Sequence, residues 1–251
     1  MVRNVWGRAA VASVMLALVA GCGSSEGAAE LGAGAEGSAV TESTSASPSA
    51  AVSAVADTGS DPLTEAQLTK AQLEQGDLEG YNITAVASTD TEAPPIDADD
   101  DVCAAVSMMM FFSLSVTPEA RVGRSVSGTS GDTAGTGTSV LLASYQEADA
   151  NQGIADLAAS VKGCPDGFEV TEDLKASAVK SLDTPDAGDE AVAFRLSGGM
   201  LGADTPTAYT VVRSGSTLAV FFTVDMTDPK TVTVPDEVVT AQLAKLEKTA
   251  G

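Results

Sequence analysis

The 251-residue chain carries 13 basic and 35 acidic residues, a formal net charge of −22, and it contains no histidine. The negative charge argues against nucleic acid and anionic lipid head groups as partners, because both attract clustered Lys and Arg side chains. The absence of histidine removes the commonest general base and the commonest transition-metal ligand. We therefore expect no nucleic-acid partner, no metal site, no catalytic residue and no cofactor.

Residues 1–21 have the composition of a bacterial export signal. Arg3 and Arg8 form a basic start, and an apolar run follows from Ala9 to Ala20. This run is too short for a membrane-spanning helix, which needs about 20 apolar residues. The sequence therefore predicts export followed by removal of residues 1–21.

The residues directly before Cys22 resemble the lipobox of bacterial lipoproteins. They are Val19, Ala20 and Gly21. In that family the cysteine sulfur receives a diacylglyceryl group and the signal is cut before it. The resemblance implies that Cys22 anchors the protein at the extracytoplasmic face of the cell membrane, since two or more acyl chains hold a protein stably in a bilayer. The alternative is a secreted protein in which Cys22 has no such role.

Residues 22–60 comprise the predicted lipidated cysteine and a linker rich in Gly, Ala, Ser and Thr, without an aromatic residue. Such a composition cannot bury enough surface to offset its ordering entropy, so we expect a disordered tether. As a flexible coil it has an r.m.s. reach of about 35 Å. The folded domain is expected to span residues 61–251.

Hydrophobic periodicity predicts helices at both ends of this domain. The first starts at an N-cap near Thr64 and ends near Gly76, with an apolar pattern of Leu63, Gln67, Leu68, Ala71 and Leu73. The second begins at the acidic run of Asp99, Asp100 and Asp101. Its apolar face is expected to hold Val102, Val106, Met109 and Met110. A closing helix begins at Pro235.

The best amphipathic helix lies in the middle, in "EADANQGIADLAASVKGC". Asp149 or Asn151 is expected to cap its start, and Lys162 and Gly163 mark its end. Its apolar positions follow the i, i+3, i+4, i+7 spacing: Ile154, Leu157, Ala158 and Val161.

Alternating patterns predict strands between these helices. "RVGRSVSG" and "SVLLASY" form a hairpin, and five more strands follow in "FEVTEDL", "KASAVKSL", "EAVAFRLSG", "TAYTVVRSG" and "TLAVFFTVDM". Consecutive strands between helices indicate an α+β fold, an antiparallel sheet flanked by helices.

Two cysteines remain once Cys22 is assigned to the lipid. Because the extracytoplasmic compartment is oxidising, Cys103 and Cys164 are expected to form one disulfide between the second helix and the amphipathic helix. A catalytic thiol is the alternative, but it would need a nearby base and no histidine exists. A zinc site is the second alternative, but two cysteines cannot form a closed zinc site without further ligands.

Three further patterns have two interpretations each. The "DADDD" run suits calcium, but it lacks the spacing of an EF-hand loop and favours a solvated helix start. "SMMMFFSL" suits a pliable apolar pocket or a helix buried on most sides, which is favoured. Four arginines either gather to bind an anionic group or, as favoured, pair with surface acids: Arg121, Arg124, Arg195 and Arg213.

Several segments resemble actinobacterial lipoproteins. "LTKAQLEQGDLEGY" is similar to their opening helix and D-L-x-x-G-Y turn, "VCAAVSMMM" to their cysteine-led helix, and "SYQEADANQGIADLAASVKGC" to their strand, helix and cysteine. The order of elements resembles the extracellular sensor domains of PknH-type mycobacterial receptor Ser/Thr kinases. The resemblance implies a sensor-like α+β fold with a cysteine bridge and a ligand cleft. Those domains carry two bridges, whereas this chain has cysteines for one.

These observations predict a lipid-anchored extracytoplasmic protein whose domain binds or senses without catalysis. Its partner would be a small molecule, a cell-wall fragment or a protein. A lipid or glycolipid carrier is the alternative, encouraged by the apolar run from Met108 to Phe112. A cell-wall hydrolase is a further alternative, which would have to work with carboxylates alone.

Overall fold

The computed structural model describes residues 61–86, 101–171, 174–198 and 205–250. The predicted signal, Cys22 and the predicted tether lie outside these residues. The helices are α1 (Glu65–Ala71), α2 (Ala104–Met109), α3 (Glu147–Gly163) and α4 (Asp236–Ala250). The strands are β1 (Tyr81–Ala85), β2 (Ala120–Gly128), β3 (Thr136–Ser144), β4 (Phe168–Thr171), β5 (Leu174–Ser181), β6 (Glu190–Gly198), β7 (Thr207–Ser214) and β8 (Thr217–Asp225).

All eight strands form one antiparallel sheet in the order β1-β2-β3-β8-β7-β6-β5-β4. The last strand along the chain therefore lies between β3 and β7, in the middle of the sheet. The predicted antiparallel α+β fold is confirmed, and so are the hairpin of β2 and β3 and the five strands that follow α3. Strand β1 was not predicted, because "YNITA" follows a turn and alternates over only five residues.

Helices cover both faces of the sheet, and each face has its own apolar core. Helices α1 and α4 pack on what we call the α1–α4 face, where Leu68, Phe221 and Leu246 are fully or almost fully buried. Helices α2 and α3 pack on the opposite α2–α3 face, around Ile154, Leu157 and Phe194. The period of two along each strand divides the side chains between the two cores.

Helix α1 begins where the sequence predicts it and ends earlier. Thr64 is the N-cap of a capping box with Gln67. The helix ends at Ala71, not near Gly76 as expected, and Gln67 is exposed instead of lying on the apolar face. The Gln67 side chain takes part in the cap instead, because its Oε1 atom accepts from the Thr64 amide at 3.0 Å.

The turn after α1 is held by contacts of Asp77 and Tyr81. The Asp77 carboxylate accepts from the Glu74 amide at 2.7 Å and from Lys245 of α4 at 2.7 Å. The Lys245 ammonium group beside it lowers the pKa of Asp77. The Tyr81 hydroxyl donates a hydrogen bond to the carboxylate of Glu237 in α4, with a distance of 2.8 Å. The "DLEGY" segment therefore attaches the entrance of β1 to α4.

The region before α2 differs from the prediction. Residues Asp101–Cys103 form a short 3-10 turn, and α2 proper begins at Ala104. This turn places Val102 toward solvent, with 51% of its surface exposed, so its assignment to the apolar face was wrong. Val106, Met109 and Met110 are buried as predicted. Asp99 and Asp100 lie outside the described residues.

The disulfide between Cys103 and Cys164 joins the start of α2 to the end of α3, with a Cα–Cα distance of 5.4 Å. Ser160 adds a second link, since its hydroxyl donates to the Val102 carbonyl at 2.7 Å and accepts from the Val106 amide at 3.2 Å. Neither Asp149 nor Asn151 caps α3, because the helix already begins at Glu147, with Gln146 at the N-cap.

Candidate functional site

Half-buried apolar side chains at the end of α2 form a ledge over the α2–α3 face. We call Met108, Phe111, Phe112 and Phe222 the aromatic ledge; all four are partly exposed. The Phe112 ring meets the Phe222 ring of β8 edge-on, with centroids 5.5 Å apart. Large apolar side chains that are accessible together are a recognised property of binding surfaces.

The aromatic ledge continues into the core as a stack of rings. Phe222 lies 5.1 Å from Tyr209 of β7, and Tyr209 stacks on Phe194 of β6 at 4.9 Å with an interplanar angle of 3°. Tyr209 and Phe194 are buried, so they support Phe222 from below. Burial raises the pKa of Tyr209 far above its ordinary value, and its phenol stays neutral at physiological pH.

Phe112 holds its place through an unusual backbone conformation. Its φ is +55°, and among the described residues it is the one non-glycine residue with a positive φ. The Phe112 amide donates to the Met109 carbonyl, and the Ser113 amide donates to the Met108 carbonyl. This is the helix-ending arrangement whose left-handed position is usually glycine. A phenylalanine there costs about 1–2 kcal/mol in backbone strain.

On its other side, the aromatic ledge borders a row of hydroxyl groups. In the sheet register, Phe222 pairs with Ser139 of β3, Ser139 with Ser125 of β2, and Ser125 with Thr84 of β1. Ser139 and Ser125 are half-buried, and Thr84 is exposed. We call Ser139, Ser125 and Thr84 the hydroxyl row. Helix α3 packs across β5 to β8, beside this row.

The aromatic ledge and the hydroxyl row together offer stacking surface, flexible thioether contacts and neutral hydrogen-bonding groups. None of the seven side chains that define them carries a charge. Such a surface offers ring contact and hydrogen bonding, and none of these seven side chains would exchange a proton near neutral pH.

The sequence identified only part of this site. It pointed to Met108 through Phe112, and the structure places three of these five residues in the aromatic ledge. It missed Phe222 and the hydroxyl row, whose only signal is the alternation of "TLAVFFTVD" and "SVSG". Their proximity depends on the pairing of β3 with β8, which joins residues more than 70 positions apart.

The four arginines do not gather at one site. Arg213 forms an ion pair with Asp189 at 2.9 Å. Arg124 donates to the Leu73 carbonyl, and Arg195 donates to the carbonyls of Val232 and Lys230. These contacts hold neighbouring segments against the sheet. The hypothesis of a joint anion site is therefore wrong.

Cys103 and Cys164 are joined in the disulfide, as predicted. Cys22 lies outside the described residues. Within the described ranges, no group of three or more His, Cys, Asp or Glu side chains is placed to hold a metal ion. In the same part of the chain, no helix has the length and apolar character needed to cross a membrane.

The sequence matches no protein-family model and no curated protein sequence. The fold is similar to the extracellular domain of PknH from Mycobacterium tuberculosis, with a TM-score of 0.47 and 10% identity over 76% of this chain and 98% of that chain. It is also similar to a putative uncharacterized protein (Rv0999 ortholog) from Mycobacterium smegmatis, with a TM-score of 0.38 and 10% identity over 74% and 95% of the two chains.

Proposed function

We propose that this protein is a membrane-anchored extracytoplasmic lipoprotein whose single α+β domain binds an envelope ligand without catalysing a reaction. The anchor rests on the lipobox-like residues before Cys22 and on the basic and apolar pattern of residues 1–21. The binding role rests on the aromatic ledge, which combines accessible rings with neutral surroundings.

The observation that carries the binding role is the backbone of Phe112. A position with φ of +55° at a helix end favours glycine, and a residue chosen only for stability would follow that preference. The chain instead bears the strain and keeps a partly exposed ring against Phe222. Strain at a partly exposed side chain is characteristic of functional positions.

Phe112→Gly separates binding from folding. The glycine relieves the backbone strain, about 1–2 kcal/mol, which offsets the lost ring contacts, so we expect a melting temperature close to that of the wild type. The ligand that copurifies from the host is expected to be lost, as measured by native mass spectrometry of the full chain. Thr117→Gly is the control, since Thr117 is exposed and lies outside the ledge. Retention of the same ligand by Phe112→Gly would contradict the proposal.

A lipid or glycolipid carrier is the second candidate, and the hydroxyl row favours it. The surface changes along one register line from rings at Phe222 to hydroxyl groups at Ser139 and Ser125. An amphiphile could place its apolar part on the rings and its hydroxylated head group on the hydroxyl groups. Copurified lipid would support this candidate, and a polar metabolite or peptide would support a sensor.

Cys22→Ala tests the anchor. The substitution removes the sulfur that takes the acyl chains, and each buried CH₂ contributes about 0.8 kcal/mol to membrane affinity. We expect the protein to move from the membrane fraction to the soluble fraction on centrifugation of host cell lysates. Ser24→Ala, two residues later, is the matched control and is expected to stay with the membrane. Membrane retention of Cys22→Ala would show that another segment holds the protein.

A further inference from the structure

The apolar surface of the aromatic ledge continues along β8 toward the end of that strand. Successive side chains of a strand alternate between the two faces of a sheet, so Val224 and Met226 follow Phe222 on the α2–α3 face. The Met226 amide donates to the Gly135 carbonyl, which extends the pairing of β8 with β3 by one residue. Val224 is half-buried, and Met226 has 74% of its surface exposed. We call Phe222, Val224 and Met226 the β8 strip.

The β8 strip is long and only one strand wide. It covers four residues of strand from its first side chain to its last, a length of about 13 Å. On β7 beside it, Thr207 and Tyr209 are buried, and on β3 the paired residues are the small Gly137 and Ser139. Among the described residues, Val224 packs against neither apolar core. An accessible apolar surface of this shape fits one extended hydrocarbon chain.

The charges near this surface argue against an ionised ligand. The strands β1, β2, β3 and β8 contain three charged residues, Arg121, Arg124 and Asp225. Arg124 lies on the opposite face, where it donates to the Leu73 carbonyl, and the Asp225 carboxylate accepts from two backbone amides of its own loop. Arg121 lies beside Tyr145, about 13 Å along β2 from the hydroxyl row. With a net charge of −22 for the whole chain, an anionic group would be repelled from this surface.

We infer that the site holds an amphiphile with a single acyl chain and an uncharged, hydroxylated head group, an inference that rests on the proposed function of the aromatic ledge. The acyl chain lies along the β8 strip and ends near Met226. At Phe222 the ligand turns across the strands, and its head group meets the hydroxyl row. The members of that row lie on neighbouring strands, about 4.8 Å apart, and each both donates and accepts hydrogen bonds, as sugar and glycerol hydroxyl groups do.

Two photoreactive monoacylglycerols test this orientation. Both carry a palmitoyl-length chain, with a diazirine at the end of the chain in one and beside the ester in the other. Each is added to the purified full chain in an amphipathic polymer, and the irradiated protein is digested with trypsin and mapped by mass spectrometry. We expect the first probe to label the peptide of residues 214–230, which contains the β8 strip. The second is expected to label residues 125–162, which contain Ser125 and Ser139.

The double variant Val224→Thr/Met226→Gln tests the contacts of the acyl chain. Both substitutions keep the side-chain size, and threonine suits a strand as valine does, so the fold is expected to persist. Because apolar contact is lost, we expect half-maximal labelling by the first probe to need about tenfold more probe. Val102→Thr is the matched control, since Val102 is also exposed but lies at the start of α2, and its labelling is expected to equal that of the wild type.

Competition tests the head group. Unlabelled 1-monopalmitoylglycerol is expected to block labelling at a lower concentration than palmitate, which has the same chain length and a negative charge. Equal competition by palmitate, or equal labelling of the double variant and the wild type, would overturn the inference. Failure of the proposed function is a different result, the retention of the copurified ligand by Phe112→Gly. If Phe112→Gly loses that ligand and neither probe labels the wild type, the ledge binds a ligand and the inferred amphiphile is wrong.

Discussion

Replacing Cys103 and Cys164 together by alanine is expected to lower the free energy of unfolding by about 4 kcal/mol. The disulfide joins residues 61 positions apart and so restricts a long loop of the unfolded chain. Folding stability of a domain is typically about 5–15 kcal/mol, so the loss would be a large part of the total. Urea denaturation of the double variant, compared with the wild type, measures it.

The same substitution is expected to affect the aromatic ledge. The bond fixes the start of α2, and Met108 lies at the other end of α2, with Phe112 three residues after its last residue. The Ser160 hydrogen bonds remain and keep α2 on α3, so we expect weaker ligand retention rather than complete loss. Ser113→Ala, beside the ledge, is the control for a local polar change. An unchanged urea midpoint in the double variant would mean that the bond contributes nothing to stability.

Gln242→Met is expected to destabilise the domain by about 2–4 kcal/mol, although it preserves volume and adds no charge. Gln242 lies in α4 with no exposed surface. Its amide donates to the Ala71 carbonyl at 2.6 Å and accepts from the Leu73 amide at 3.2 Å. Methionine leaves both buried backbone groups at the end of α1 without these partners. Thermal and urea unfolding measure the loss.

Gln242→Glu is expected to make the free energy of unfolding depend on pH at this position, where the wild-type side chain does not ionise. Burial disfavours the charged carboxylate, so the pKa of the introduced acid is raised in the folded state. The unfolded chain then binds fewer protons, and the added destabilisation is small below the ordinary glutamate pKa and grows as the pH rises above it. Gln152→Glu, on the exposed side of α3, is the matched control. A loss for Gln242→Glu that does not change with pH would contradict the burial argument.

Local patterns predicted most elements because each is fixed by nearby residues. The spacing of Ile154, Leu157 and Val161 defines one face of α3, and all three are buried. Thr64 and Gln67 form the cap at the start of α1. Alternation along β6, β7 and β8 predicts those strands, and the expected export to an oxidising compartment predicts the disulfide.

The rest depends on contacts between distant segments. No pattern in "YNITA" shows that it will pair with β2, and no pattern in "TLAVFFTVD" shows that Phe222 will lie beneath Phe112. Val102 was assigned to a core because a regular helix was assumed there, whereas the 3-10 turn at the disulfide rotates it outward. The function of Gln242 is invisible in the sequence, since its partners lie about 170 positions away.

The sheet cannot be completed before β8 is present, because β8 lies in its middle. Strands β1, β2 and β3 form one block and β4 to β7 form another, and in the sheet only β8 lies between them. Each block therefore exposes an unpaired edge until Thr217–Asp225 is available, close to the end of the chain. A polypeptide that is being made or exported from its N-terminus cannot complete its sheet before almost all of it has emerged. Truncation before residue 217 would therefore leave both of these edges unpaired at once.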